Sequence, residues 1–104
     1  MLNNAQIGQV LGPFTAGVDL LDDNQPIGSL TPEKERPEIY KLGIQAEPGT
    51  IVSINGRNIK IGMTGIYELD NVIRIKSILF PSGASDTVIV DFIYAGYINY
   101  WVIS

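Results

Sequence analysis

Glycine and proline interrupt the first 38 residues of this chain so often that no helix can form there. Proline lacks the amide donor that a helix needs, and glycine costs backbone entropy when it is ordered. The apolar side chains between them occur singly, without a helical stripe. The pattern predicts an extended N-terminal arm, residues 1–38. The interrupting residues are Gly8, Gly12, Pro13, Gly17, Pro26, Gly28, Pro32 and Pro37.

The apolar residues of this arm form a spaced series that is poorly suited to float free in water. Two alternatives follow. Either the arm docks on a neighbouring subunit, or residues 6–11 and 15–21 are short strands of the same domain. Residues 31–38, TPEKERPE, are predicted to be an exposed linker under both alternatives. Under the first alternative, the assembly interface comprises Ile7, Val10, Leu11, Phe14, Val18, Leu20 and Leu21.

From Ile39 onward, short runs rich in Ile, Val and Tyr are separated by turn signals, which is typical of antiparallel strands. The sequence therefore predicts an all-β fold. It is a small antiparallel β-sandwich of about seven short strands in residues 39–104, preceded by the arm. The arm is expected to be separable, so that its removal leaves the domain folded. The predicted strands span residues 39–45, 50–55, 58–61, 65–69, 72–79, 87–94 and 97–103.

Several turns have chemistry that supports this assignment. Pro48-Gly49 suits a turn in which proline presets φ at one corner and glycine accepts a positive φ at the next. Asn55-Gly56 between two alternating apolar runs indicates a two-residue hairpin, because both residues tolerate the left-handed conformation. Ala95-Gly96 is predicted to separate the last two strands. Those strands are apolar on both faces apart from Asp91 and Asn99, which predicts the centre of the sandwich or a subunit contact.

Composition excludes several partners. The 104 residues fit one domain, and the formal net charge of −4 comes without a basic patch, so we expect no nucleic-acid partner. No run approaches the ~20 apolar residues that span a bilayer, so we expect no membrane partner. The N-terminal residues also lack the pattern of a signal peptide, which predicts synthesis in the cytoplasm.

The residue types that usually carry catalysis are missing. The chain has no histidine and no cysteine, and its carboxylates show no spacing that pairs two of them with confidence. Asp22-Asp23-Asn24 lacks the closing acidic ligand of a calcium loop. Gly8, Gly12 and Gly17 precede no helix that could hold a phosphate, so we expect them to serve turns or close backbone approach. The sequence predicts no catalytic, metal or cofactor-binding residue and a non-enzymatic protein.

Aromatic residues cluster near the carboxyl terminus. Tyr97, Tyr100 and Trp101 could form a stacking platform for sugar rings or contact a partner subunit. Alternatively, alternate members of the cluster fill the core. The sequence leaves these alternatives open.

Two segments carry a resemblance to a known module. Residues 40–56, YKLGIQAEPGTIVSING, and residues 59–70, IKIGMTGIYELD, resemble a small β module of virion proteins from tailed phages and prophages of Gram-positive bacteria. Residues 88–94, VIVDFIY, are similar to the end of such modules. The resemblance covers residues 40–94 and leaves the arm unassigned.

The resemblance implies a structural role in a virion. It brings no catalytic residue, and it implies a homo-oligomeric component that contacts other virion structural proteins in a tail, baseplate, fibre-attachment or capsid-decoration position. A weakly charged surface and strand edges that need pairing agree with assembly. The alternative, from another functional class, is a carbohydrate-binding module that contacts host cell-wall glycan through Tyr97, Tyr100 and Trp101.

Overall fold

The computed structural model describes residues 3–30, 39–70 and 75–97, and within them it confirms the predicted all-β fold. The described part of the chain contains seven strands and one 3-10 helix, Gly28–Leu30. This single turn lies within the first 38 residues, where the sequence predicted no helix. The strands are β1 Asn3–Leu11, β2 Ile39–Gln45, β3 Ile51–Ile54, β4 Arg57–Lys60, β5 Ile66–Leu69, β6 Ile78–Leu79 and β7 Ile89–Tyr97.

The strands form two antiparallel sheets. The first has the order β1-β7-β2-β5 and the second the order β4-β3-β6. In the first sheet, β1 and β7 pair over their full nine residues, from Asn3 opposite Tyr97 to Leu11 opposite Ile89. On its other side β7 pairs with β2, where a register shift falls between Ile39 and Lys41. The two longest strands therefore lie side by side at one end of the first sheet.

Both sheets contribute to one hydrophobic core. Val90, Phe92 and Ile44 face the core from the first sheet, whereas Val52 and Ile54 face it from the second. Each of these side chains is at most 3% exposed. The connections between strands add further apolar residues: Phe14, Leu20, Leu21, Ile27, Ile61, Ile75, Phe80 and Val88.

The predicted hairpin between β3 and β4 is confirmed. Asn55 and Gly56 have φ values of 53° and 82°, and Ile54 lies directly opposite Arg57. The type of turn therefore agrees with the residues that favour it. The turn at Pro48-Gly49 is also present, since Gly49 has φ 93° and the Thr50 amide donates to the Glu47 carbonyl at 3.1 Å.

Residues 3–30 lie in the same body as the later strands. β1 agrees with the alternative in which residues 6–11 form a strand of the domain. Residues 15–21 are not a strand; they run past β6, where the Leu20 amide donates to the Ile78 carbonyl at 2.8 Å. A turn interrupts this segment, since the Val18 amide donates to the Thr15 carbonyl at 3.3 Å. The adjacent Leu20 and Leu21 are both buried, whereas successive side chains of a strand point to opposite faces. The predicted linker, residues 31–38, lies outside the described residues.

Two predicted strands differ from the structure. The turn predicted at Ala95-Gly96 is wrong, because both residues continue β7 and pair with Ala5 and Asn4. The strand predicted over residues 72–79 is reduced to Ile78–Leu79 and an isolated bridge between Ile75 and Ile39 among its described residues. Residues 98–103 of the last predicted strand lie outside the described part of the chain.

Close approach explains two of the glycines in the first segment, as predicted. A Cβ at Gly12 would lie 1.9 Å from the Ser85 carbonyl oxygen, and one at Gly8 would lie 2.5 Å from the Phe92 ring. Neither position can hold a side chain without a shift of its neighbours. These glycines let β1 pack closely on β7 and on the loop before it.

Candidate functional site

The outer face of the first sheet carries both a groove and exposed apolar side chains, and it is the candidate site. Side chains alternate along each strand, so the residues next to the core-facing ones point outward. On β7, Val90 and Phe92 are buried, while Ile89, Asp91 and Ile93 lie on the outer face and are half-buried. The outer face thus carries apolar and acidic side chains together.

Strand register arranges these outward residues in three rows across the sheet. The middle row is polar and runs through Gln9, Asp91, Gly43 and Glu68. One flanking row contains Ile7, Ile93 and Lys41. The other flanking row contains Leu11, Ile89, Gln45 and Ile66.

Gly43 leaves a gap in the middle row. An open groove of about 570 Å³ follows from it, with Glu68 on one side and Asp91 on the other. Gln9 donates from Nε2 to Oδ1 of Asp91 at 2.7 Å, which fixes one of these two carboxylates. The groove therefore presents oxygen acceptors over a glycine floor.

Lys41 and Asp70 form an ion pair at the end of the groove. The distance from Lys41 Nζ to Asp70 Oδ1 is 3.5 Å, and both side chains are more than half exposed. An exposed pair of this kind contributes only ~0–1 kcal/mol to stability. Both side chains are therefore free to exchange this contact for one with a ligand or a partner.

Among the described strands, β1 at the edge of this sheet carries the two most exposed large apolar residues. Ile7 and Leu11 are 84% and 57% exposed, and each lies opposite an isoleucine of β7, Ile93 and Ile89. β1 is the first strand in the order of its sheet, so only β7 pairs with it among the described strands. On its other side no strand of the described residues pairs with it, and exposed apolar side chains lie beside that edge.

The structure divides the predicted assembly residues into three groups. Ile7 and Leu11 are exposed, whereas Val10 and Val18 are half-buried. The remaining three, Phe14, Leu20 and Leu21, belong to the core of the same chain. The ring of Phe14 stacks on Phe80 at 5.4 Å between centroids. Of the seven, Ile7 and Leu11 have the surface that a neighbouring subunit could contact.

The aromatic cluster is not described in the structure. Tyr100 and Trp101 lie outside the described residues, and Tyr97 is described only as the last residue of β7. Its role as a partner or glycan surface stays a prediction.

The sequence pattern did not predict the groove at Gly43. Asp91 stood out as a polar residue in an apolar strand, but its neighbours Gly43 and Glu68 are 48 and 23 positions away in the sequence. Only strand register brings them together. The signal that could have found them is the pairing of the strand at 87–94 with the strand at 39–45.

The described residues contain no group of three or more acidic residues placed to hold a metal ion. None of the helices in this part of the chain has the length and apolar character needed to cross a membrane.

In comparisons with known proteins, no family model, no curated protein and no solved structure matches this chain. Its function must therefore be inferred from its own residues.

Proposed function

We propose that this chain is a non-enzymatic structural subunit of a tailed-phage virion and that it joins its neighbours through the outer face and edge of β1. The observation that supports the proposal best is the nine-residue edge strand with Ile7 and Leu11 exposed. A long edge strand with exposed apolar side chains is a liability in a monomer, and pairing with another chain removes that liability.

The resemblance of residues 40–70 and 88–94 to phage virion modules supports the virion setting. Other virion structural proteins are the proposed partners, in a tail, baseplate, fibre-attachment or capsid-decoration position. The chain is proposed to be made in the host cytoplasm and to end in the particle. The side chains that line the groove, among them Asp91, Glu68 and Lys41, can serve as hydrogen-bonding and ionic contacts for a neighbouring subunit.

The experiment follows this chain in a phage lysate. Prophage is induced in the source strain, particles are separated on a density gradient, and each fraction is probed with an antibody against the chain. We expect the antigen to sediment with the particles and immunogold to label one fixed position on them. Antigen that stays at the top of a gradient that contains intact particles would reject the proposal. An abundant soluble host protein, probed in the same fractions, controls for trapping.

The groove favours a second candidate, a module that binds host cell-wall glycan. Asp91, Glu68 and Lys41 offer hydrogen-bonding groups around a floor that has no side chain. Such groups can hold the hydroxyls of a sugar, although the described part of the groove contains no exposed aromatic ring for stacking.

Filling the groove tests this candidate. A Cβ at Gly43 would meet only ordinary contacts, at 3.9 Å from the Asp91 Cβ, so Gly43→Val is expected to fold and to occupy the floor. If the groove binds glycan, this variant loses at least ~10-fold in affinity for purified cell-wall polysaccharide, or about 1.4 kcal/mol. Gly62→Val is the matched control, because no atom lies within 4 Å of its Cβ position. Equal binding by both variants and the parent would exclude the groove.

A further inference from the structure

We propose that β1 pairs with β1 of a second copy of this chain, antiparallel about a twofold axis, so that two four-stranded sheets become one eight-stranded sheet. This inference rests on the proposed structural function and names the partner at its assembly surface. Four observations carry it: the direction of the free backbone groups, the lack of charge, the exposed apolar pair and the self-complementary register.

The backbone groups that face the open edge can be assigned from register. The Gly12 amide donates to the Val88 carbonyl at 2.9 Å, and these two residues continue the register in which Val10 lies opposite Val90. In an antiparallel pair, hydrogen-bonded and non-hydrogen-bonded positions alternate. The even-numbered residues of β1 therefore bond to β7, and the amides and carbonyls of Ile7, Gln9 and Leu11 point away from it.

The composition of β1 leaves its edge open to pairing. Edge strands are usually protected by lysine, proline, inward charges or bulges. β1 has the sequence NNAQIGQVL, with no charged residue and no proline, and its pairing with β7 runs without a register shift. The other edge strand of the sheet, β5, has only four residues and carries Glu68.

Because β1 carries no charged residue, a second copy of the chain can pair with its open edge. Each chain has a formal net charge of −4, so the net charges of two copies repel each other. Contact through β1 brings no acidic residue of one copy directly opposite an acidic residue of the other. Asp91, which lies opposite Gln9 on β7, already accepts a hydrogen bond from Gln9.

Symmetry selects the register. A twofold axis at Gln9 places Ile7 of each copy opposite Leu11 of the partner subunit, and it places the two Gln9 residues opposite each other. All of these positions carry backbone groups that face the open edge, so the pairing is hydrogen-bonded. The exposed apolar side chains then cover each other on the outer face.

Two lysine variants of the full chain test the contact by light scattering and sedimentation. We expect the parent to have twice the mass of one chain, and Ile7→Lys and Leu11→Lys to have the mass of one chain. Ile66→Lys is the matched control, because Ile66 is 51% exposed on the same face but at the opposite edge. It is expected to keep the parent's mass. Circular dichroism confirms that each variant is folded.

Cysteine variants test the register independently. Since the chain has no cysteine, each variant carries one thiol. Cα atoms of a hydrogen-bonded antiparallel pair lie ~5.5 Å apart, within the range for a disulfide. Gln9→Cys is therefore expected to form a covalent dimer on mild oxidation, and Ile66→Cys is expected to remain a single chain. A parent that is monomeric up to the highest concentration tested, or equal cross-linking at both positions, would overturn the inference.

The two proposals can fail separately. If the chain sediments with particles but Gln9→Cys cross-links only to a different protein, the virion role stands and self-pairing is rejected. If the chain dimerises through β1 but never sediments with particles, self-pairing stands and the virion role is rejected.

Discussion

Asp19 links the first segment of the chain to the second sheet through one carboxylate oxygen. Oδ1 accepts from the Leu21 amide at 3.0 Å and from the Ile78 amide at 3.1 Å, and the side chain is half-buried. Asp19→Ala is expected to lower the free energy of unfolding by about 2 kcal/mol, because both amides lose their acceptor away from bulk water. Denaturant unfolding measures this change.

Two control variants separate the contribution of these hydrogen bonds to stability from the contribution of the negative charge. Asp19→Asn keeps a side-chain oxygen at the same position, so it is expected to retain more of the stability than Asp19→Ala. Asp23→Ala removes an exposed carboxylate of the same segment and is expected to change stability by less than ~0.5 kcal/mol. If Asp19→Ala and Asp23→Ala were equally stable, the two bonds to Asp19 would contribute nothing measurable.

At the scale of the strands, the sequence predicted correctly those elements that depend on residues close together in the chain. The bounds of β2 and the hairpin at Asn55-Gly56 follow from residues a few positions apart, and both predictions are confirmed. The turn at Ala95-Gly96 failed because pairing with β1 keeps both residues extended, although glycine is a weak strand former. Partners distant in the sequence decided that position.

The core-facing side of the strand predicted at 72–79 also depended on distant partners. If residues 72–79 formed one unbroken strand, alternation would place Ile75 and Leu79 on the core face and Ile78 on the opposite face. In the structure, Ile75 and Ile78 are buried at 3% and 0%, and Leu79 is half-buried. Residues 76 and 77 are not in a strand, so the alternation restarts at β6. One irregular step is enough to reverse which side is buried.

The same reasoning explains how much of the candidate site was predictable. Ile7 and Leu11 were identified from their spacing in a segment rich in glycine and proline, whereas Leu20 and Leu21 in the same series lie in the core. Spacing cannot distinguish an anchor for a neighbouring subunit from an anchor for the chain's own core. That distinction depends on where residues 12–30 cross the second sheet, which the sequence pattern does not specify.

At the scale of the whole molecule, residues 3–30 share one core with residues 39–70 and 75–97. Phe14, Leu20, Leu21 and Ile27 are each at most 8% exposed, and burial of such a side chain contributes ~1.5–3 kcal/mol. Four of them together are comparable with the whole net stability of a domain, ~5–15 kcal/mol. β1 adds its nine-residue pairing with β7.

A chain that begins at Ile39 is therefore expected to lack a cooperative unfolding transition. This reverses the expectation from the sequence that residues 1–38 can be removed without loss of the fold. The measurement is thermal and urea unfolding followed by circular dichroism and by the fluorescence of Trp101.

The matched control is the full chain cut by a protease at a site inserted within residues 31–38, which keeps every core residue. We expect the cut chain to remain folded with its two pieces associated, and residues 1–30 added as a peptide to restore the transition to the truncated chain. A truncated chain that unfolds cooperatively at the parent's midpoint would show that the first segment contributes little to the core, and an arm free for a neighbouring subunit would then be the better description.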